Sequence, residues 1–224
     1  MKFERTDLSQ TRSAADIVFA ALRDAIVKGD LENGAQLRQE EIAAAFNVSR
    51  IPVREAIARL EQLGLVETRR YKGAFVTDLP IQEIEEIFHL RALVESDAIR
   101  RAVVDMDPAA LAEARAAHDA FAQATDPAAW MEQNRRFHCA LYHAGQQRHY
   151  MGVIENLLNL SDRYLRAQLS LTDGQQKAVA EHALILAACE NGDADLAARL
   201  TAQHIEDAKT SLLTRLNEKR AASG

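Results

Sequence analysis

Cysteine is nearly absent from this chain. Its 224 residues hold only Cys139 and Cys189, without a CxxC spacing, so neither a disulfide framework nor a zinc ribbon can be built from them. Both read as small buried thiols of a reducing compartment. Long apolar runs are missing too: none approaches the ~18 residues that a membrane-spanning helix needs. The opening Met1-Lys2-Phe3-Glu4-Arg5 lacks the apolar core of a secretory signal, so the expectation is a cytoplasmic protein with no membrane partner. There are only four prolines, no internal repeat and no low-complexity linker. An excess of positive charge is lacking as well, for the net charge is -6, which at first sight argues against nucleic acid.

The distribution of charge says more than its sum. Residues 1–78 carry twelve Lys+Arg against twelve Asp+Glu, and the remainder carries fifteen against twenty-one. Within residues 50–72, Arg50, Arg54, Arg59, Arg69, Arg70 and Lys72 outnumber Glu55, Glu61 and Glu67. A locally basic first part with an acidic second part suits a small DNA reader joined to another domain.

Periodicity supplies the elements. Val18, Leu22, Ala25 and Ile26 mark a helix over residues 14–28, stopped by Gly29. A short helix follows over 39–46, with Leu37, Ile42 and Phe46 inward. Ser49 caps the next helix, over 50–63, whose stripe is Val53, Ile57 and Leu60, with Pro52 in its first turn. Two short strands, 65–68 and 74–76, flank the basic tip Arg69-Arg70-Tyr71-Lys72-Gly73. Three helices and a basic hairpin in that order predict a winged helix-turn-helix over residues 1–78. From Pro80 onward no strand is legible. Helices are expected over 80–104, 108–124, 127–145, 149–171, 174–190 and 194–217, followed by a fraying polar tail from Glu218. The fold class is therefore mainly α: a winged helix-turn-helix, then an all-α bundle over residues 79–224.

In a helix-turn-helix, the N-terminal end of the third helix meets phosphates and base edges. Arg50 and Arg54, at i and i+4 off the apolar stripe, suit bidentate contact with guanine or a phosphate clamp. Ser49 and the free N–H groups of that turn can hold a phosphate. Arg69, Arg70 and Lys72 would track the backbone, with Gly73 letting the main chain approach. In the second domain Asn134 and His138 share an inward stripe with Leu141, beside Phe137. His182 shares one with Ala178, Ile185 and Cys189, and His204 one with Ala197, Leu200 and Ala208. Imidazoles converging from facing helices are how a bundle builds a metal site, and three of them with one oxygen suit Zn²⁺, Ni²⁺ or Mn²⁺. From the residues alone, three hydrogen-bonded core histidines fit equally well. Arg91 can pair a ligand carboxylate or bridge Glu95 or Glu86 on its own helix; Asn159 and Arg163 are further effector-binding candidates. His89, His118, His143 and His149 read as incidental, and Trp130 as core.

The run Val48-Ser49-Arg50-Ile51-Pro52-Val53-Arg54-Glu55-Ala56, with Gly29-Asp30-Leu31 before it and Gly64-Leu65-Val66 after it, resembles the GntR family of bacterial regulators. Asn134-Arg135-Arg136-Phe137-His138, Glu181-His182 and His204-Ile205 are similar to the FCD effector domain of its FadR subfamily. The resemblance implies operator contacts for Arg50 and Arg54, although Glu40 stands where some members carry a DNA-contacting arginine. It also implies a divalent metal on Asn134, His138, His182 and His204, completed by a ligand carboxylate. The expected protein is a homodimeric, ligand-responsive regulator of double-stranded operator DNA, a repressor released by a small organic acid, and no enzyme. Two other readings compete. One is a metal-free acyl-CoA sensor on the same fold; the other is a metal-dependent hydrolase, against which stands the lack of an HExxH motif or a placed general base.

Overall fold

The computed structural model describes residues 13–145, 147–171 and 174–223, with backbone only for 163, 166–171 and 219–223. The chain divides into two compact units between Asp78 and Leu79.

The first unit is α1 (Ala14–Lys28), β1 (Gln36–Leu37), α2 (Gln39–Ala45), α3 (Arg50–Gln62), β2 (Val66–Arg69) and β3 (Gly73–Val76). Ser13 and Asp16 form a reciprocal capping box that starts α1, and Gly29, at φ 77°, ends it in the left-handed region. Val18, Leu22 and Ile26 of α1 pack on Val53, Ile57 and Leu60 of α3 and on Val66 and Val76 of the sheet. Each such burial contributes roughly 1.5–3 kcal/mol. A third strand was not anticipated: β1 pairs with β3, Leu37 opposite Ala74, giving the antiparallel order β1-β3-β2. Two residues are too few to show a period of two, so only the buried Leu37 marks it.

The second unit is α4 (Ile81–Val104), α5 (Pro108–Gln123), α6 (Pro127–His143), α7 (Arg148–Leu171), α8 (Gly174–Glu190) and α9 (Ala194–Ser223). Asp107 and Asp126 accept from first-turn N–H groups of α5 and α6, each before a proline at the first helical position. α4 lies along α9 and against α7, α5 against α6 and α8, α6 against α7, and α8 against α9. One core gathers Ile99, Phe137, Leu141, Ile154, Leu158 and Ile185; a second gathers Phe88, Phe121, Tyr164 and Ile205. The end of α9 departs from expectation, for the helix runs on to Ser223 rather than fraying after Asn217. Nothing after Asn217 breaks a helix: Glu218, Lys219, Arg220 and two alanines are good formers, and Arg215 pairs with Glu218 one turn away.

Candidate functional site

In α3 the buried Val53, Ala56, Ile57 and Leu60 occupy one face, which leaves Arg50, Ile51 and Arg54 outward on the first turns. Ser49 sits at the N-cap with extended backbone, yet its hydroxyl makes no capping hydrogen bond. The expected cap is therefore positional only, and among the described residues Ser49 does not close the first turn of α3, where free N–H groups are what an anion-binding helix end requires. Arg50 Nη1 donates to Glu40 Oε1 at 3.0 Å, so the acidic residue in α2 engages the outward arginine of α3. Ile51 is 67% exposed, an apolar group among cations that the sequence pattern did not single out.

The hairpin tip is fixed by hydrogen bonds and by two residues of positive φ. Arg69 pairs across to Gly73, Lys72 N–H donates to the Arg69 carbonyl at 3.0 Å, and Gln36 Nε2 donates to the Lys72 carbonyl at 2.7 Å. Gly73 adopts φ 94° and Tyr71 φ 63°, positions that cost a side-chain-bearing residue free energy. Tyr71, exposed at the apex, has the Arg70 guanidinium 4.9 Å from its ring centre. Arg69 lies over Phe75 at 4.6 Å and pairs with Glu67.

The second unit brings the three inward histidines together. His138 of α6, His182 of α8 and His204 of α9 place donor atoms within 4.8 Å of one another, with ring centres 4.9–5.2 Å apart. His138 and His182 are 1% and 0% exposed. Burial, followed by the neighbouring His204, pushes both well below the ordinary imidazole range, so both rings are neutral and each keeps a lone pair. Their partners differ. His204 Nδ1 is 2.7 Å from Glu181 Oε2, and His138 Nδ1 is 3.2 Å from the Tyr142 hydroxyl. His182 stacks on Phe137 with centres 4.3 Å apart, and among the described residues neither of its nitrogens has a hydrogen-bond partner, nor has His138 Nε2. Buried nitrogens left unpaired cost about 1–3 kcal/mol each. A divalent cation satisfies lone pairs that no protein donor reaches, so this donor set fits a metal.

Beside the cluster lies a small cavity of about 40 Å³, lined by Arg91, Asn134, Lys177, Glu181, His204, Asp207 and Ser211 among apolar groups. Asn134, buried one turn before His138, therefore shares a wall with His204. Arg91 makes the bridge to Glu95, donating from Nε to Glu95 Oε1 at 2.7 Å, while Nη1 reaches Ser161 at 3.3 Å; it also lines the cavity. Glu86 is exposed and takes no part. Asn159 lies elsewhere, accepting from Arg135 beside Asp162, and is not in the cavity wall. The side chain of Arg163 lies outside the described residues. His118, read as incidental, is half-buried with its ring 6.3 Å from that of His182. Trp130 is half-buried and packs on the second core, its indole N–H donating to the Ala124 carbonyl.

Comparison with known proteins matches both units to described domains. The family model described as bacterial regulatory proteins, gntR family, matches residues 14–76, and the FCD domain model matches residues 86–207. The HTH-type transcriptional repressor RspR of Escherichia coli K12 is 25% identical over 219 residues, 92% of each chain. A solved GntR family regulator from Pseudomonas syringae is 30% identical and covers 94% of this chain and 89% of its own, with a TM-score of 0.58. Another, from Rhodococcus sp. RHA1, is 25% identical, covers 91% and 99%, and has a TM-score of 0.77.

Proposed function

We propose, from the premise that this chain belongs to the gntR family of bacterial regulatory proteins and carries an FCD domain, that it is a repressor which leaves its operator when a small carboxylate metabolite enters the helical unit. Membership itself makes the chain a ligand-responsive DNA-binding regulator and not an enzyme. The finer reading rests on one observation: three converging buried imidazoles, of which those of His138 and His182 hold unpaired nitrogens, stand beside a cavity that also presents a buried guanidinium.

Asn134, His138, His182 and His204 would hold the metal, and a bound Zn²⁺, Ni²⁺ or Mn²⁺ supplies Lewis acidity with positions left open for a carboxylate oxygen. Arg91 pairs the same carboxylate from the cavity wall, its fork suited to two oxygens. Metal-free acyl-CoA sensing gives the unpaired imidazole nitrogens no use, so the metal-assisted reading is preferred. In the first unit, Arg50 and Arg54 reach base edges or phosphates. Ser49 and the first turn of α3 hold a phosphate, and Arg69, Arg70, Lys72 and Gly73 follow the backbone. Two copies of the chain bind an inverted repeat, since a two-fold operator is read most simply by a two-fold protein. Effector binding loosens the complex by as much as it prefers the released form.

The test is a thermal-shift screen of sugar acids, hydroxy acids, dicarboxylates and aromatic acids, with and without divalent metal, followed by operator release for each hit. The expected result is a stabilising acid whose shift disappears with chelator and in His182→Ala, and which releases DNA. An acid shift that survives chelation sinks the metal-assisted reading.

A further inference from the structure

We propose that Glu95, acting through the hydroxyl of Tyr142, is a positioning residue that fixes His138 in the one tautomer whose Nε2 lone pair faces the histidine cluster. This deepens the metal reading above and rests on it. The relay crosses two helices: Arg91 and Glu95 are one turn apart on α4, and His138 and Tyr142 one turn apart on α6. All four are at most 2% exposed, so water does not compete for their hydrogen bonds.

The proton positions follow from the donors available. Arg91 Nε donates to Glu95 Oε1 at 2.7 Å, and an ion-paired carboxylate can only accept. Glu95 Oε2 lies 2.8 Å from the Tyr142 oxygen, so the single phenolic proton points at the carboxylate. What remains on that oxygen is lone-pair density, and His138 Nδ1 lies 3.2 Å from it. Two lone pairs facing at that distance repel, so Nδ1 carries the hydrogen. A neutral imidazole has only one, and His138 Nε2 is therefore the acceptor atom. It is also the atom that is buried without a partner, on a ring whose centre is 5.0 Å from that of His182 and 5.2 Å from that of His204. The opposite tautomer would aim an N–H where a metal needs a lone pair.

Glu181 does for His204 directly, at 2.7 Å, what Glu95 does for His138 at one remove. Orienting partners of this kind are worth about 10–100-fold in metal affinity.

The test reads the tautomer in the metal-free protein by ¹⁵N NMR of the imidazole side chains, with His138 identified by comparison with H138Q. The expected wild type is protonated at Nδ1. Tyr142→Phe keeps the ring but removes the oxygen, so the His138 signals shift toward the Nε2–H form. Co²⁺ affinity, followed by visible absorption, should fall about 10–100-fold. A wild-type His138 protonated at Nε2 overturns the proposal without any variant. So does a Tyr142→Phe protein with the wild-type tautomer and Co²⁺ affinity within about twofold, below the range such partners give. A wild type with the stated tautomer but no Co²⁺ uptake upholds the relay and overturns the metal reading instead.

Discussion

Arg50 and Glu40 form an ion pair in the N-terminal unit with side chains 62% and 78% exposed, whereas Arg91 and Glu95 form one in the helical unit at 3% and 0%. The contrast separates two uses of charge. An exposed pair contributes at most about 1 kcal/mol, so Arg50 can exchange its carboxylate for a phosphate or a guanine edge at little cost. A buried pair is held by the expense of separating it in a low-dielectric interior, and such a pair fixes its neighbours in place. Arg50 is thus held exchangeably and Arg91 is locked, although other ion pairs of the helical unit, such as Arg100 with Asp195, are exposed like that of Arg50.

The sharpest way to break this contrast is to remove one carboxylate from each unit. Glu95→Ala strands a buried guanidinium and should destabilise the helical unit by about 3–5 kcal/mol. Urea unfolding followed by the fluorescence of Trp130, the single tryptophan, reads that unit. A loss below about 1 kcal/mol, the ceiling for exposed pairs, would erase the distinction. Acid comes next. All seven histidines lie beyond residue 88. Burial lowers the affinity of His138 and His182 for protons in the folded state, so the unfolded chain binds more protons below pH ~6.5. Stability of the metal-free helical unit should hold above that pH and fall below it, by up to about 1.4 kcal/mol per pH unit for each ring. The histidine-free unit should show no such slope on this account. A pH-independent Trp130 transition between about pH 5 and pH 7, the range in which an ordinary histidine titrates, would contradict the buried neutral assignment.

Smaller effects belong to the DNA face. Arg50→Ala and Arg54→Ala should each weaken operator binding by about 1–3 kcal/mol and relax base preference; unchanged titrations would remove both from the reading surface. Lys72→Ala should lower the salt slope of binding by about one and affect all sequences alike. Glu40→Ala should change folding stability by less than about 1 kcal/mol, and a larger loss on denaturation would show that this pair is not exchangeable.

Sequence periodicity carried the first unit almost whole, because Val53, Ile57 and Leu60 on one side of α3 leave Arg50 and Arg54 only the other. It also turned His138, His182 and His204 inward, each repeating with core residues of its own helix, but their meeting was implied only by the family resemblance. It missed β1, too short to have a period, and the left-handed Tyr71, whose conformation is set by the length of the hairpin loop. The partners of the histidines were illegible for a different reason. Glu95 and Arg91 at i and i+4 look the same in sequence whether the pair faces solvent or core, and Tyr142 looks like any half-polar core residue. Burial decided their meaning, and burial depends on α4 packing along α9 and against α7.

α9 runs for 30 residues, and His204 stands a third of the way along it. From there to Ser223 a straight helix extends about 28 Å at 1.5 Å per residue. A lever of that length pivoting by about 5° at His204 sweeps its tip through about 2.5 Å. Because Ile205 and Leu212 of that stretch are buried in the second core, such a pivot would have to carry the packed side chains of α4 with it.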